Sequence, residues 1–297
     1  MDFSLYRTVA AQGGVFTVAQ ALDSCSDAEV RRLVRSGRWR RSPWRGVLVD
    51  NEIPDSFGVQ VRAASLIVGA DLVACHGTAA RLWGFDVLDE PTLHFLGPSG
   101  LVNRSRPGIQ VHPSSLGCDD AVLIDGVWCT PAPRTACDVV RLSALIDGLA
   151  VLDAALRSVW CTRETLAEAA DAQAGLRQVI RLRKLIPHAN GRAESAMESR
   201  MRWRFIEGGL PAPDVQVRVQ TDHGVRWLDT GWREQRVGSE FDGLEAHMTP
   251  EQLRDDRRRH NWLTERDWFL LHFTGHDVYR EPRWMVAHAA RALSRRS

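Results

Sequence analysis

The chain has 297 residues and a formal net charge of +1, with 44% apolar and 25% charged residues. This is an ordinary globular composition, long enough for two or three domains around sizeable cores. No run approaches the ~18 apolar residues of a membrane span, and the start lacks the basic and apolar blocks of a signal peptide, so we expect a cytoplasmic protein with no membrane partner.

The cysteines and lysines limit the kinds of site that the chain can contain. The six cysteines are scattered and form no C-x-x-C pair. A disulfide framework or a structural zinc site would need tighter spacing, so we interpret them as free, mostly buried thiols. Nearly all basic charge is arginine, because Lys184 is the only lysine.

Residues 1–50 follow the order helix, helix, helix and hairpin. Thr17 is the N-cap of a second short helix, and Ser26 with Glu29 forms a capping box at the start of a third. Gly37 ends that helix, and residues 39–49 follow as a hairpin with a turn at Ser42-Pro43. We predict a winged helix-turn-helix DNA-binding domain over residues 1–50.

Seven arginines and no acid lie between Arg31 and Arg45. Such a cluster is typical of a phosphate-contacting surface. The plainer alternatives are a solvated helix face or a protein-docking module. For the DNA-binding interpretation, the third helix presents the first three of these candidate contacts and the wing the others: Arg31, Arg32, Arg35, Arg40, Arg41 and Arg45.

Residues 55–186 form the middle of the chain, which we predict to be an α+β domain. Helices are expected at residues 59–69, 78–83, 130–142, 145–159 and 164–186, and strands at 71–75, 92–96 and 109–112. His76 and Arg134 are the most noticeable polar residues here. Neither has a second catalytic group at an interpretable spacing, so both favour a structural hydrogen-bonding role.

A helix stop at residues 187–191 precedes a third domain at 192–297. Its pattern is helix, three strands, helix, strand, helix. When the loop between the second and third strands is centred on Glu234-Gln235, Asp229 lies opposite Glu240. Facing Cβ atoms are ~4.5–5.5 Å apart, which is close enough for two carboxylates to share a divalent cation.

Asp242 shares a face with Glu240, so we predict a metal site of Asp229, Glu240 and Asp242. Oxygen-only ligands favour Mg²⁺ or Mn²⁺, which can activate water for phosphodiester cleavage. The alternative is that solvated strand ends carry acids without a ligand. Against it, both Asp229 and Glu240 lie within otherwise apolar strands, where an unpaired charge is costly.

Residues 194–293 resemble the very-short-patch-repair-like endonucleases of the PD-(D/E)XK superfamily. The residues that carry this resemblance are Glu198, Gly209-Leu210-Pro211, Pro213, Leu228-Asp229, Glu240-Phe241-Asp242-Gly243, His247, Asp256-Arg257-Arg258-Arg259, Leu263 and Trp268 through Thr274. It implies a restriction-endonuclease-like mixed sheet flanked by helices, with Asp229 and Glu240 as metal ligands.

The resemblance also implies roles for neighbouring residues. Glu198 would support the site from the first helix, and His247 is the candidate general base. Asp242 stands where the superfamily name has lysine, and relatives of the very-short-patch type lack that lysine too. His272 replaces the arginine usual on the last strand. Three further arginines would contact phosphate or pair with the carboxylates: Arg257, Arg258 and Arg259.

Five short segments within about residues 3–185 form a further pattern: Gly13 through Thr17, Arg38-Trp39, Arg45-Gly46-Val47, Cys75 through Ala80 and Thr130 through Thr135. In these segments the N-terminal part resembles AbiEi-type abortive-infection antitoxins, a family that contains transcriptional repressors of toxin–antitoxin operons. The resemblance implies DNA as a ligand, and a toxin or a second copy of the chain as a partner.

We therefore expect an α/β protein of three parts that binds DNA and cuts it with a Mg²⁺-dependent endonuclease domain. One alternative is an AbiEi-like antitoxin or transcriptional regulator whose nuclease fold is inactive. Another is a purely structural interaction module.

Overall fold

A computed structural model describes residues 3–69, 72–114, 121–222, 224–243 and 250–296. The chain divides into two compact units, Met1–Thr135 and Ala136–Ser297. Within the described ranges no helix is long and apolar enough to cross a membrane.

The first fifty residues form a small helical bundle with a three-stranded sheet. The sheet is antiparallel in the order β1-β3-β2, and its core includes Phe16, Val30, Trp39 and Leu48. The elements are α1 (Phe3–Ala11), β1 (Val15–Thr17), α2 (Val18–Leu22), α3 (Asp27–Arg35), β2 (Trp39–Arg41) and β3 (Val47–Asp50).

Local sequence signals account for these boundaries. Thr17 and Ser26 both form capping boxes, which satisfy free backbone N–H groups at the starts of α2 and α3. Gly14 has a φ of +85°, and a Cβ there would collide with Ile53. The turn into β1 therefore requires glycine. The predicted helices and hairpin are confirmed, while β1 is an additional strand.

The remainder of the first unit is built on a five-stranded mixed sheet in the order β6-β5-β4-β8-β7. The pairs β5–β6 and β4–β8 are parallel, whereas β4–β5 and β7–β8 are antiparallel. Its elements are α4 (Phe57–Val68), β4 (Val73–Ala74), α5 (His76–Leu82), β5 (Leu93–Gly97), β6 (Ile109–Pro113), β7 (Val122–Ile124) and β8 (Val127–Cys129).

The second unit begins with helices. These are α6 (Ala132–Leu142), which crosses the division between the units, α7 (Leu145–Arg157), α8 (Arg163–Ala172) and α9 (Val179–Leu185), followed by a 3₁₀ turn at Ile186–His188. The single helix predicted over 164–186 is wrong. Gly175 at φ +84° and Gln178 at φ +67° adopt left-handed conformations that an α-helix does not tolerate, so the chain turns between α8 and α9.

The rest of the second unit is a four-stranded sheet between helices. Strand order is β12-β11-β10-β9, with β9–β10 and β10–β11 antiparallel and β11–β12 parallel. Its elements are α10 (Ala196–Glu207), β9 (Asp214–Thr221), β10 (Gly224–Trp232), β11 (Val237–Asp242), α11 (Pro250–Thr264), β12 (Phe269–Thr274), α12 (Gly275–Tyr279) and α13 (Pro282–Ser294).

Two separate cores hold this sheet to its helices. On one side, Phe205 of α10 and Met285 of α13 contact Val237 and Phe273. A smaller cluster joins Leu228 and strand β9 to Leu263 of α11. Burial of such side chains contributes roughly 1.5–3 kcal/mol each, which fixes the helices against the strands.

Helices α7 and α10 are tied together by a buried ion pair. Arg202 Nη2 donates to Asp153 Oδ2 at 2.6 Å, and both side chains are almost fully buried. The same carboxylate accepts from Ser199 Oγ and the Asn190 N–H, each at 2.7 Å. Helices before and after residues 187–191 therefore belong to one compact unit. The three-domain organisation of 1–50, 55–186 and 192–297 stays a prediction.

The described residues thus form a mixed α/β protein with three sheets, as the fold class predicted in outline. The finer fold assignments stay predictions at this point.

Candidate nucleic-acid interface and carboxylate cleft

Helix α3 carries the first group of predicted DNA contacts. Arg31, Arg32 and Arg35 are all exposed along this helix. Arg31 pairs with Asp27 at 2.7 Å one turn earlier, but both side chains stay at least 63% exposed. Such a surface pair is weak, so the guanidinium remains available to a phosphate.

The end of β2 and the loop between β2 and β3 carry the second group. Arg41 and Arg45 are exposed, and Arg45 lies next to Gly46, which has a φ of +91°. Trp44 anchors the loop, because its indole N–H donates to the Gln60 carbonyl at 3.3 Å. Arg41 at the end of β2 and Arg45 in the loop are therefore exposed side chains on a backbone that Trp44 anchors.

Arg40 lies in β2 but is engaged by the protein itself. Its Nη1 donates to the carbonyls of Ile53 at 2.8 Å and Asp50 at 3.2 Å. Arg38, within the same basic run, pairs with Asp50 and Glu52. The arginine cluster therefore divides into a structural pair and five exposed residues, Arg31, Arg32, Arg35, Arg41 and Arg45.

In the second unit, the pairing of β10 with β11 follows the predicted register. Thr230 pairs with Ser239 and Trp232 with Val237, and the next step of this register places Asp229 opposite Glu240. The Asp229 carboxylate accepts from the Phe241 N–H at 2.8 Å. Asp229 is half-buried and Glu240 is 7% exposed. The hairpin thus brings the two predicted carboxylates to the same point of the sheet.

Glu198 occupies the start of α10, where its backbone N–H is capped by Ser195 Oγ at 3.1 Å. Its carboxylate accepts from Gln216 Nε2 at 3.1 Å and from the Glu194 N–H at 3.0 Å. These donors satisfy a carboxylate that is only 8% exposed. Glu198 is therefore held by β9, next to the strand that carries Asp229.

An open cleft of about 500 Å³ lies beside Asp229, and it is lined by Arg192, Glu194, Gln216, Trp227 and Asp229. Arg192 lies 5.7 Å over the ring of Trp227 and donates to the Gln216 carbonyl at 2.9 Å. Gln216 has a φ of +51°, an uncommon conformation for a residue other than glycine. The cleft combines one aromatic face, one cation and two acids.

The remaining predicted site residues are spread around the sheet. Asp242 is exposed and lies 3.2 Å from His272 Nδ1 on the neighbouring strand. Arg257 and Arg258 are exposed on α11, and Arg259 lies on the same helix. His247 falls outside the described residues.

The described residues contain two groups whose ligand atoms all lie within 4.8 Å of one another, Cys75–His76–His112 and His276–Asp277–Glu281. Asp229, Glu240 and Asp242, all described, do not form a third such group. The predicted Mg²⁺ or Mn²⁺ site stays a prediction. The sequence also missed Arg192, Gln216 and Trp227 as cleft residues, because only strand pairing brings them together.

Comparison with known protein families gives a match for the middle of the chain. Residues 72–188 match the AbiEi antitoxin C-terminal domain family. This confirms the AbiEi resemblance for the five-stranded sheet and the helices that follow it. The match includes neither the basic helix α3 nor the carboxylate cleft. The resemblance of residues 194–293 to very-short-patch-repair-like endonucleases stays a prediction.

Two Mycobacterium tuberculosis proteins are similar over most of their length. They are uncharacterized protein MT2308 of strain CDC 1551 / Oshkosh and uncharacterized protein Rv2248 of strain ATCC 25618 / H37Rv. Each is 37% identical over 253 residues, which is 85% of this chain and 92% of the relative.

Proposed function

We propose that this chain, which belongs to the same family as the two mycobacterial proteins and carries an AbiEi antitoxin-type domain, is a DNA-binding regulator of the antitoxin class. The observation that carries the proposal is the set of five exposed arginines on α3 and the β2–β3 hairpin.

The N-terminal arrangement supports a winged helix. The elements follow the order α1-β1-α2-α3-β2-β3, and the sheet has the order β1-β3-β2. In this arrangement α3 is the second helix of a helix-turn-helix, and the β2–β3 hairpin that follows it is the wing. In that motif the second helix enters the major groove and the wing contacts the backbone. Here the exposed arginines lie on those two elements.

Electrostatics supports a local interface. The net charge is only +1, so attraction to DNA has to come from a concentrated patch. Each arginine that neutralises a phosphate releases a condensed counterion, and this release drives association. Glu29 lies one turn before Arg32, and its carboxylate already accepts from the Ser26 N–H and hydroxyl.

A binding titration tests the proposal. The full chain is titrated into a short fluorescent DNA duplex, and anisotropy gives Kd for wild type, for Arg32→Ala/Arg35→Ala and for the matched exposed pair Arg177→Ala/Arg283→Ala. We expect weaker binding only for the α3 variant. Equal affinity of all three proteins contradicts an interface on α3.

A protein toxin is the partner that the antitoxin class implies. We propose that the AbiEi-type domain at residues 72–188 takes part in neutralising it. Co-expression of the chain with its cognate toxin should restore growth of the host cells. Unchanged growth arrest in the presence of the folded chain argues against this role.

A metal-dependent endonuclease is the second candidate, supported by the β10–β11 register. That register sets Asp229 opposite Glu240 beside a cleft, within a sheet of three antiparallel strands and one parallel strand. We propose Mg²⁺ or Mn²⁺ there, with DNA phosphodiesters as substrate. Glu198 would position the cleft through Gln216.

Plasmid nicking in Mg²⁺ or Mn²⁺ tests this second candidate. Wild type is compared with Asp229→Ala/Glu240→Ala and with Glu207→Ala/Glu265→Ala, whose carboxylates are exposed outside the cleft. Nicking lost only in the first variant supports the nuclease. Nicking by all three proteins, or by none, contradicts the nuclease candidate and favours a regulator whose nuclease-type unit is inactive.

A further inference from the structure

A cluster of metal-binding side chains lies in the first unit, on elements other than the basic helix α3. Cys75 and His76 stand at the junction of β4 and α5, and His112 lies in β6. Each offers one ligand atom, and the three atoms all lie within 4.8 Å of one another. Cys75 is buried, while His76 and His112 are half-buried, so the cluster has a closed floor and an open side.

The sheet brings these residues together from separate segments. The antiparallel pairing of β4 with β5 continues into Cys75, whose N–H donates to the His94 carbonyl at 3.0 Å. Strand β6 lies parallel to β5 and pairs His112 with Leu96. His94 and Leu96 are two residues apart and share a face, so His112 reaches the same side as His94.

Three imidazole rings meet at this point. The rings of His94 and His112 are stacked with centroids 5.2 Å apart, and the His76 ring lies 4.7 Å from that of His112. His76 has a φ of +49°, a backbone conformation that residues other than glycine rarely adopt. This strained conformation is maintained at a residue that offers a ligand atom to the cluster.

A hydrogen-bond chain fixes the orientation of His112. Glu90 Oε1 lies 2.6 Å from His94 Nε2, and His94 Nδ1 lies 2.9 Å from His112 Nε2. With Glu90 ionised, the His94 Nε2–H donates to the carboxylate and His94 Nδ1 accepts from the His112 Nε2–H. The lone pair of neutral His112 is then on Nδ1.

This hydrogen-bond chain resembles the arrangement that orients metal-bound histidines, in which the ring nitrogen that does not bind the metal is hydrogen-bonded to a carboxylate. Here the Glu90 carboxylate acts on His112 through the His94 ring. Neutral imidazole is the form that binds metals.

We propose that Cys75, His76 and His112 bind one zinc ion per chain, with Glu90 and His94 as positioning residues. A thiolate and two imidazoles are borderline-soft ligands that suit zinc better than Mg²⁺ or Ca²⁺. Zinc takes four ligands, so three protein ligands leave one position for water or an exogenous ligand. The site lies in the AbiEi-type domain and shares no residue with the lining of the carboxylate cleft.

The test uses the full chain, stripped with a chelator and reloaded with Zn²⁺ or with Co²⁺ as a spectroscopic substitute. Elemental analysis after gel filtration gives metal per chain, and absorption reports cobalt–thiolate charge transfer. We expect one equivalent of zinc and a thiolate band in wild type. Cys75→Ser should abolish the band. Glu90→Gln should weaken zinc binding by about 10–100-fold without changing its stoichiometry.

Two control variants separate this cluster from other candidates. Cys25→Ser removes a half-buried thiol elsewhere, and His276→Gln removes one member of the exposed His276–Asp277–Glu281 group. Both should keep the full stoichiometry and the cobalt band. Sub-stoichiometric zinc and no thiolate band in folded wild type overturn the proposal, as does a band that persists in Cys75→Ser or disappears in Cys25→Ser.

Discussion

The hydroxyl groups of Thr230 and Ser239 lie 2.6 Å apart between β10 and β11, where both side chains are fully buried. Their pairing belongs to the register that places Asp229 opposite Glu240. A slip by one residue would turn every side chain of β11 to the other face of the sheet. The buried hydroxyl pair therefore selects the arrangement on which the carboxylate cleft depends.

Removal of one of these hydroxyls should destabilise the protein. Thr230→Val keeps the side-chain shape but leaves Ser239 without this partner in a buried site. We expect a loss of about 1–3 kcal/mol in the free energy of unfolding. Urea denaturation measures it as a lower midpoint at unchanged slope.

A double variant provides the control. Thr230→Val/Ser239→Ala removes both hydroxyls, so it should be less destabilised than the sum of the two single variants. Strictly additive losses would show that the hydroxyls do not interact in solution.

The Asp153–Arg202 pair should make stability depend on pH when it is broken. Arg202→Met leaves a buried carboxylate, which should cost about 3–5 kcal/mol near neutral pH. Burial already raises the pKa of Asp153, while Arg202 opposes that rise, so removing Arg202 raises it further. A folded-state pKa above the unfolded value of about 3.8 means that stability is lost as pH rises from there.

Urea unfolding at about pH 5 and about pH 7.5 measures the effect, since the loss should be larger at the higher pH. Arg200→Met is the matched control, because its partner Asp147 is 19% exposed and should be rehydrated more easily. Equal losses at both pH values would contradict an uncompensated Asp153 carboxylate.

The buried thiols should resist alkylation in the native state. Burial raises the pKa values of Cys129, Cys137 and Cys161 to about 12 each. The thiolate is the reactive form, so these three residues should stay unmodified by iodoacetamide at about pH 8, while half-buried Cys25 should react before them. Peptide mapping by mass spectrometry identifies each site. Rapid native labelling of Cys137 would contradict the burial of this thiol.

Substitution of Arg40 should affect stability, whereas substitution of Arg45 should affect DNA binding. The Arg40 guanidinium is bound to the backbone at Asp50 and Ile53, so Arg40→Ala should lower the free energy of unfolding by about 1.5–3 kcal/mol. Exposed Arg45 makes no such contribution, and Arg45→Ala should instead weaken DNA binding. Thermal unfolding and duplex titration of both variants check this. If Arg40→Ala instead weakened DNA binding and Arg45→Ala lowered stability, Arg40 would belong to the DNA-binding surface.

Local signals predicted much of the fold. Thr17 and Ser26 identified two helix starts through their capping boxes, and the loop around Glu234-Gln235 set the β10–β11 register. Both depend on residues only a few positions apart. The turn at Gly175 and the β7–β8 hairpin were not predicted. The helical pattern continued through the turn, and each strand of the hairpin is only three residues long.

The candidate sites were predicted less completely, since they depend on side-chain partners that sequence does not show. Arg40 has the same charge as Arg45, but only the structure shows which one binds backbone carbonyls. The Asp242 carboxylate contacts the His272 ring, which belongs to a neighbouring strand. The cluster of Cys75, His76 and His112 was missed because its members come from segments joined only by the sheet.

The salt dependence of DNA affinity tests the regulator proposal most directly. For wild type, log Kd should rise linearly with log salt concentration, because phosphate contacts release counterions. Arg32→Ala/Arg35→Ala should lower that slope by about 2, roughly one for each lost phosphate contact. Binding that does not depend on salt, or an identical slope in the variant, would contradict DNA recognition by α3.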